Sequence, residues 1–223
     1  MARTNGPFTA GEWYHCYNRS IEKRISFEDS QDYQRFLELL YLANDESPLR
    51  RGDIGARTFK EVLGIPRGKA LVAIGAFCLM PNRFDLVLRE VSEGGITTFM
   101  RKLGTAYTLY FNARHKRVGN LFLKPFQSSH VPMGRSFQHI VSYIHSNPAM
   151  LYEPKWERNH VVDPQFFEER LMAYPYSSLA AHTGAPAPTR AILDAQVLSA
   201  ARVLPLQKML QEARQYAADF ETP

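Results

Sequence analysis

The sequence predicts an α+β fold in which one antiparallel sheet is combined with packed helices. Three observations lead to this class. Strand-like and helix-like stretches alternate along the chain, two strand-like stretches are separated by a tight Pro-Asn turn, and 45% of the 223 residues are apolar, as is usual for a globular protein. The same composition argues against wholesale disorder, and no apolar stretch reaches the roughly 18 residues that a membrane span requires.

The first strand and helix follow from aromatic content and from helical spacing. Residues 12–19 (EWYHCYNR) are rich in aromatic residues and read as a strand. Apolar residues at helical spacing predict an amphipathic helix from Phe27 to Leu42, with Asp29 or Ser30 as its N-cap. Residues 44–69, punctuated by Pro and Gly, read as an insertion that contains a possible short helix at 56–63.

A hairpin comes next, and it is followed by a helix, a strand and a helix. Residues 70–80 and 83–91 read as two strands that pair across the turn at Pro81-Asn82. The later elements are predicted from apolar spacing and from the proline that ends the last of them: a helix over Ile96–Arg114, a strand over Leu121–His130, and a helix from Arg135 or Ser136 to Asn147.

This order is the split βαβ arrangement of a ferredoxin-like βαββαβ sandwich. We expect helices on one face of the sheet and the other face free to bind a ligand. Short helical pieces alternate with proline after Glu153, the segment GAPAPT (184–189) reads as a linker, and a last amphipathic helix runs from about Leu206 to Phe220. The chain therefore divides into one domain over 1–183, with the insertion 44–69, and a linker with C-terminal helices over 184–223.

Charge is distributed unevenly along the chain. The net charge is +5, yet no Asp or Glu occurs from Gly94 to Tyr152, where about six would be expected from the chain average of 22 in 223. A segment of positive potential attracts polyanions, and phosphate contacts dominate the affinity of nucleic-acid binding. We expect DNA contacts from its basic residues, which are Arg101, Lys102, Arg114, Lys116, Arg117, Lys124 and Arg135.

Two groups of polar residues stand out as candidates for chemistry. His139, Tyr143 and Asn147 are spaced four apart on one flank of a predicted helix, although Tyr143 could equally be a core tyrosine and Asn147 a helix cap. Arg83 and Asp85 project from the same face of a predicted strand, although they could equally form a surface ion pair worth at most about 1 kcal/mol.

Four ordered motifs resemble the IS200-like transposase superfamily. They are CLMPNRFDLVLRE, FMRKLGTAYTLYFNARHKRVGNLF, SYIHSNP and YPYSSLAAHTG, and the opening WYHCYNRS also resembles the first strand of the branch called REP-associated tyrosine transposases. The resemblance covers roughly residues 12–184, so the domain over 1–183 is identified as an IS200-like domain.

The resemblance implies a ferredoxin-like enzyme that cleaves and transfers single-stranded DNA. Members of this HUH-type superfamily hold a divalent metal between two histidines, and a tyrosine forms a phosphotyrosine intermediate. The tyrosine would be Tyr143. Asn147 would be a third polar metal ligand, and His15 could add to the site. A metal is needed because a phenol with a pKa near 10 is a poor nucleophile toward an anionic phosphodiester. Tyr107 or Tyr110 could stack on bases.

This sequence departs from the family pattern at the metal ligands. Arg83 and Asp85 stand where the family has two histidines, and Arg cannot bind a metal. Three hypotheses follow: a DNA-binding copy that no longer cleaves, a site in which Arg83 supplies the charge of the metal, or a weakened metal site of Asp85 with Asn147 or His15. We expect Mg²⁺ or Mn²⁺ if the protein is active, and no cofactor otherwise.

A different class of function is a non-catalytic nucleic-acid-binding regulator. Such a protein would present aromatic residues on the sheet face, and the candidates are Trp13, Tyr14, Tyr17, Phe77 and Phe84. For either class we expect single-stranded or hairpin DNA as partner, no membrane, a monomer or homodimer, and a cytoplasmic location. The location follows from the absence of an apolar signal core in the first residues.

Overall fold

The computed structural model describes residues 7–49, 57–154, 156, 163–200 and 203–221. Residues 50–56 of the predicted insertion lie outside the described residues. The strands are β1 Trp13–Arg19, β2 Val72–Met80, β3 Arg83–Glu90 and β4 Gln127–Val131. The α-helices are α1 Ser30–Leu42, α2 Phe59–Leu63, α3 Gly95–Arg114, α4 Arg135–Ser146, α5 Ala149–Tyr152, α6 Pro164–Met172, α7 Leu179–His182, α8 Ala195–Ala200 and α9 Leu206–Glu221.

The four strands form one antiparallel sheet with the order β2-β3-β1-β4. In chain order, β1, α1, β2, β3, α3 and β4 give the split βαβ arrangement, so the predicted α+β, ferredoxin-like fold is confirmed. The N-cap of α1 is also as predicted, because the Asp29 side chain accepts hydrogen bonds from the backbone of Gln31 and Asp32.

Helices α1 and α3 cover one face of the sheet. Their apolar stripes meet the inward residues of the strands in a single core, in which Phe36, Leu103 and Tyr107 pack with Phe77 and Leu86, all of them fully buried. This is the layer that the helical spacing of the sequence predicts.

The opposite face of the sheet is covered by α4 and α9, so the prediction of a free face is wrong. Trp13 and Val87 of the strands are buried there against Ile140 and Ile144 of α4 and Tyr216 of α9. A signal for this was present in the sequence: every residue of β2 (VAIGAFCLM) is buried, and a continuous apolar run is typical of a strand covered on both faces.

The fourth strand is shorter than predicted and begins later. It spans Gln127–Val131, whereas residues 121–126 lie along the end of β1 and form a single bridge between Phe122 and Ser20. Pro125 has no N–H to donate to a ladder, which prevents regular pairing before Gln127.

The middle of β2 requires a glycine. A Cβ on Gly75 would lie 2.8 Å from the Trp13 ring, and the register of β2 with β3 shifts between Ile74 and Ala76. This β-bulge lets the indole pack directly on the backbone.

The C-terminal part of the chain packs on the domain. In the 3₁₀-helix Pro188–Ile192, Thr189 and Ile192 are buried, and Ile192 belongs to the core beneath α1 and α3. The predicted linker thus contributes apolar contacts, and the division of the chain at residue 183 stays a prediction.

Candidate functional site

The predicted site residues of β1 and β3 lie together where β3 begins. In the antiparallel register, Tyr17 lies opposite Asp85 and Arg19 lies opposite Arg83. Directly opposed residues share a face of the sheet, so their side chains, with that of His15, project toward α4 and α9. Tyr143 and Asn147 reach the same place from α4, one helical turn apart.

Asp85 is at the centre of the site. Its Oδ1 lies 2.9 Å from His15 Nε2, its Oδ2 lies 3.1 Å from Asn147 Nδ2, and Arg83 Nε is 3.5 Å from Oδ2. Burial raises the pKa of Asp85, but the hydrogen bond from His15 and the charge of Arg83 outweigh it, so the pKa lies below its ordinary value. Asp85 is therefore an ionised, buried hydrogen-bond acceptor at neutral pH.

Asn147 links Asp85 to Arg83. Arg83 Nη2 donates to Asn147 Oδ1 over 3.2 Å. A guanidinium can only donate, so the amide oxygen has to face Arg83, and the NH₂ group is left to donate to the Asp85 carboxylate. Both neighbours thus fix the same orientation of the amide.

Tyr216 completes the site from α9, and sequence reasoning missed it. Its hydroxyl lies 2.9 Å from His15 Nδ1. Because the Nε2–H of a neutral His15 donates to Asp85, Nδ1 is left to accept a hydrogen bond from the Tyr216 O–H. Burial raises the pKa of Tyr216, which keeps that proton on the phenol. The available signal was the spacing of Met209, Ala213 and Tyr216, which places the tyrosine on the buried stripe of α9.

Tyr143 is half-buried at the edge of this cluster. Its ring centroid lies 6.1 Å from that of His15 and 5.1 Å from that of Tyr216. His139, one turn earlier on α4, pairs with Glu212 of α9. The three polar residues spaced four apart on α4 are therefore divided, with Tyr143 and Asn147 at the site and His139 outside it.

The three residues predicted as metal ligands meet, but they do not fit a divalent cation. Mg²⁺ and Mn²⁺ need oxygen or nitrogen lone pairs. The Asp85 oxygens and the Asn147 oxygen each accept a hydrogen bond from a protein donor, and both ring nitrogens of His15 lie 2.9 Å from protein partners. Arg83 adds a positive charge beside them. Within the described ranges, no three His, Cys, Asp or Glu side chains form a cluster suited to a metal ion.

The structure divides the seven predicted DNA-binding residues into two groups. Three are held by other parts of the protein: Lys102 donates to the backbone of Asp45 and Ser47, Arg114 pairs with Asp29 and Asp32, and Arg117 donates to Asn112. Four are exposed and make no side-chain hydrogen bond or ion pair with any described residue: Arg101, Lys116, Lys124 and Arg135. The second group offers charge to a polyanion without breaking protein contacts.

The aromatic residues expected to stack on bases are buried, except for the half-buried Tyr110. The five on the sheet are at most 7% exposed, so the stacking surface predicted for a regulator is wrong. Tyr107 is fully buried and donates to the carbonyl of Ser26, and the Tyr110 hydroxyl donates to Asp32. Their burial follows from the second covered face and from the packing of α3 on α1.

Comparison with known proteins supports the fold. One solved structure, a REP-associated tyrosine transposase bound to a REP hairpin, is similar to 82% of this chain over 86% of its own length, with a TM-score of 0.51 and 12% identity. At this identity the likeness shows a shared fold. Neither a family model nor a curated protein matches the sequence. Within the described residues, no helix has the length and apolar character to cross a membrane.

Proposed function

We propose that the protein binds single-stranded or hairpin DNA and that it has lost the metal-dependent cleavage of the IS200-like family. The observation that carries this proposal is the attachment of Arg83 to both Asp85 and Asn147. A permanently charged guanidinium occupies the position of a family metal ligand and would repel a dication, and each neighbouring oxygen already accepts a hydrogen bond from the protein.

Two further observations support DNA as the ligand. The related structure, similar in fold, holds a REP hairpin. In this chain, Arg101, Lys116, Lys124 and Arg135 are exposed within the segment from Gly94 to Tyr152 that has no carboxylate. A binding surface of this kind acts mainly on phosphates, so the affinity should fall steeply with salt.

A second candidate is cleavage without a metal, and the position of Arg83 favours it. Arg83 bonds to Asn147, one helical turn from Tyr143. In such a reaction the Tyr143 oxygen would form a bond to phosphorus while the bond from phosphorus to the 3′ oxygen breaks, and the phenolic proton would pass to that oxygen. Arg83 would hold the phosphate charge in place of a metal.

A binding and adduct assay distinguishes these possibilities. Labelled hairpin DNA with a single-stranded tail is incubated with the native chain, with Tyr143→Phe and with Arg83→His/Asp85→His, in Mg²⁺, Mn²⁺ or EDTA. We expect salt-dependent binding by the native chain and no covalent product in any buffer.

Other results of this assay would distinguish the remaining possibilities. A Tyr143-dependent adduct that persists in EDTA would establish the second candidate, and an adduct of the native chain only with metal would establish the weakened metal site. Absence of DNA binding would overturn the proposal. A product formed only by the histidine double variant would support it, because that result locates the loss of activity in Arg83 and Asp85.

A further inference from the structure

Two arginines lie side by side where β1 ends and β3 begins. Arg19 is directly opposite Arg83, on the same face of the sheet. Like charges in directly opposed positions destabilise a sheet. Asp85 supplies one negative charge to the pair, and both arginines help to lower its pKa. The cluster therefore keeps a net positive charge.

Arg19 is free to bind a ligand. Its side chain is exposed and makes no hydrogen bond or ion pair with any residue in the described part of the chain. Arg83 is more enclosed, with 16% of its side chain exposed beside Asn147 and Met150. The pair thus combines the guanidinium of Arg83, which protein contacts hold in place, with that of Arg19, which can adjust its position.

A groove lies at the same end of the sheet but on the face that α3 covers, whereas Arg19 and Arg83 face α4 and α9. The carbonyl of Arg19 accepts from the backbone N–H of Leu123, and Asn18 donates to the Leu123 carbonyl. Lys124 follows, and it lines a groove of about 530 Å³ between α3 and residues 120–126. Arg101 lines the same groove from α3. Cations therefore lie on both faces at this end of the sheet, and the backbone contacts of residues 18 and 19 with Leu123 join the two groups.

We propose that Arg19 and Arg83 together bind one phosphate of a single-stranded nucleic acid beside Tyr143, and that the strand then passes around the end of the sheet into the groove, past Lys124 and Arg101. The inference rests on the proposed DNA binding and deepens it by locating the path of the single strand. Paired guanidiniums suit the several oxygens of a phosphate.

The groove has walls that suit the rest of a nucleotide. Leu109 and Leu123 are 67% and 49% exposed there, and Thr105 and Thr108 add hydroxyls from α3. Apolar contact with bases or sugars beside a line of cations is the usual design of a groove that binds single strands without strict sequence preference.

The test compares Arg19→Gln with Lys60→Gln, an exposed lysine of α2 outside the groove. Affinity for two hairpin oligonucleotides, one with a single-stranded tail and one blunt, is measured by fluorescence anisotropy over a range of salt. We expect Arg19→Gln to weaken binding of the tailed hairpin about tenfold and to reduce its salt slope by about 0.7, the value for one phosphate of a single strand.

We also expect Lys124→Gln to act in the same direction, Lys60→Gln to have little effect, and the blunt hairpin to be insensitive to Arg19→Gln. An unchanged melting temperature of Arg19→Gln shows that the fold is intact.

Two results would overturn the inference while leaving the proposed function in place. One is native binding that Arg19→Gln changes no more than Lys60→Gln does. The other is an equal loss on the tailed and blunt hairpins. A native chain that binds neither hairpin would overturn both proposals together.

Discussion

Replacement of Asp85 by asparagine should destabilise the protein more than any other single change of charge at the site. Asp85 is 3% exposed, accepts hydrogen bonds from His15 Nε2 at 2.9 Å and Asn147 Nδ2 at 3.1 Å, and forms an ion pair with Arg83 Nε at 3.5 Å. An asparagine has the same shape, but its NH₂ group would have to face one of these donors. The change also removes the charge that balances Arg83.

The size of the effect follows from two contributions. A hydrogen bond to a charged group contributes about 1.5–3 kcal/mol, and a buried donor left without an acceptor costs about 1–3 kcal/mol. Breaking a buried ion pair from one side costs about 3–5 kcal/mol in total. For a chain of this size, that corresponds to a fall in melting temperature of roughly 6–20 °C.

Urea unfolding measures the difference directly, provided that the slope m is unchanged. Glu46→Gln is the matched control, because Glu46 pairs with Lys69 over 3.2 Å where their side chains are 48% and 67% exposed, and such a pair contributes at most about 1 kcal/mol. A loss for Asp85→Asn no larger than that of Glu46→Gln would refute the view that Asp85 is a charged, fully bonded centre.

Three other predictions follow from the same structure. Burial lowers the pKa of His182 to about 4, so below about pH 6.5 this side chain is protonated in the unfolded chain but stays neutral in the native state. The contribution of His182 should therefore reduce the free energy of unfolding by about 1.4 kcal/mol per pH unit from pH 6.5 toward 4. Urea unfolding at several pH values should show that His182→Gln removes this dependence. Arg114→Gln should lower the melting temperature but leave the salt slope of DNA binding unchanged, because Arg114 is paired with carboxylates. Arg101→Gln should reduce the salt slope. Equal slopes in the two variants would contradict the division of the basic residues into a paired and an exposed group. Addition of Mn²⁺ should not raise the melting temperature, because the charge of Arg83 beside Asp85 repels a dication and each Asp85 oxygen already accepts a hydrogen bond. A rise that Asp85→Asn abolishes would show the opposite.

Short-range sequence patterns predicted most of the fold. The spacing of apolar residues placed α1 within three residues and α3, α4 and α9 within one residue of their ends, and Pro81-Asn82 marked the hairpin. The fourth strand was misplaced because its apolar residues, such as Phe122, serve a loop that packs without pairing. Local hydrophobicity does not distinguish a paired strand from a loop that packs on the core without pairing.

The site was predicted in part, for a physical reason. Strand alternation grouped Arg83 with Asp85, helical spacing grouped Tyr143 with Asn147, and the family resemblance implied that the two pairs meet, as they do in the structure. Tyr216 was missed because its contact with His15 joins residues 201 positions apart, and no local pattern encodes the docking of α9 on the sheet. The contacts of Lys102 could not be predicted for the same reason, since its acceptors at Asp45 and Ser47 come from a distant loop.

The long separation between His15 and Tyr216 has a consequence for the synthesis of the protein. The strands, α1 and α3 all precede residue 132, so the sheet and its first helical layer can form while α9 has yet to be made. Until then, one apolar face of the sheet lacks this helix, and His15 lacks its phenol partner. The nascent chain thus passes through a stage with exposed core residues such as Trp13 and Val87, and its escape from aggregation depends on how quickly the last helix arrives.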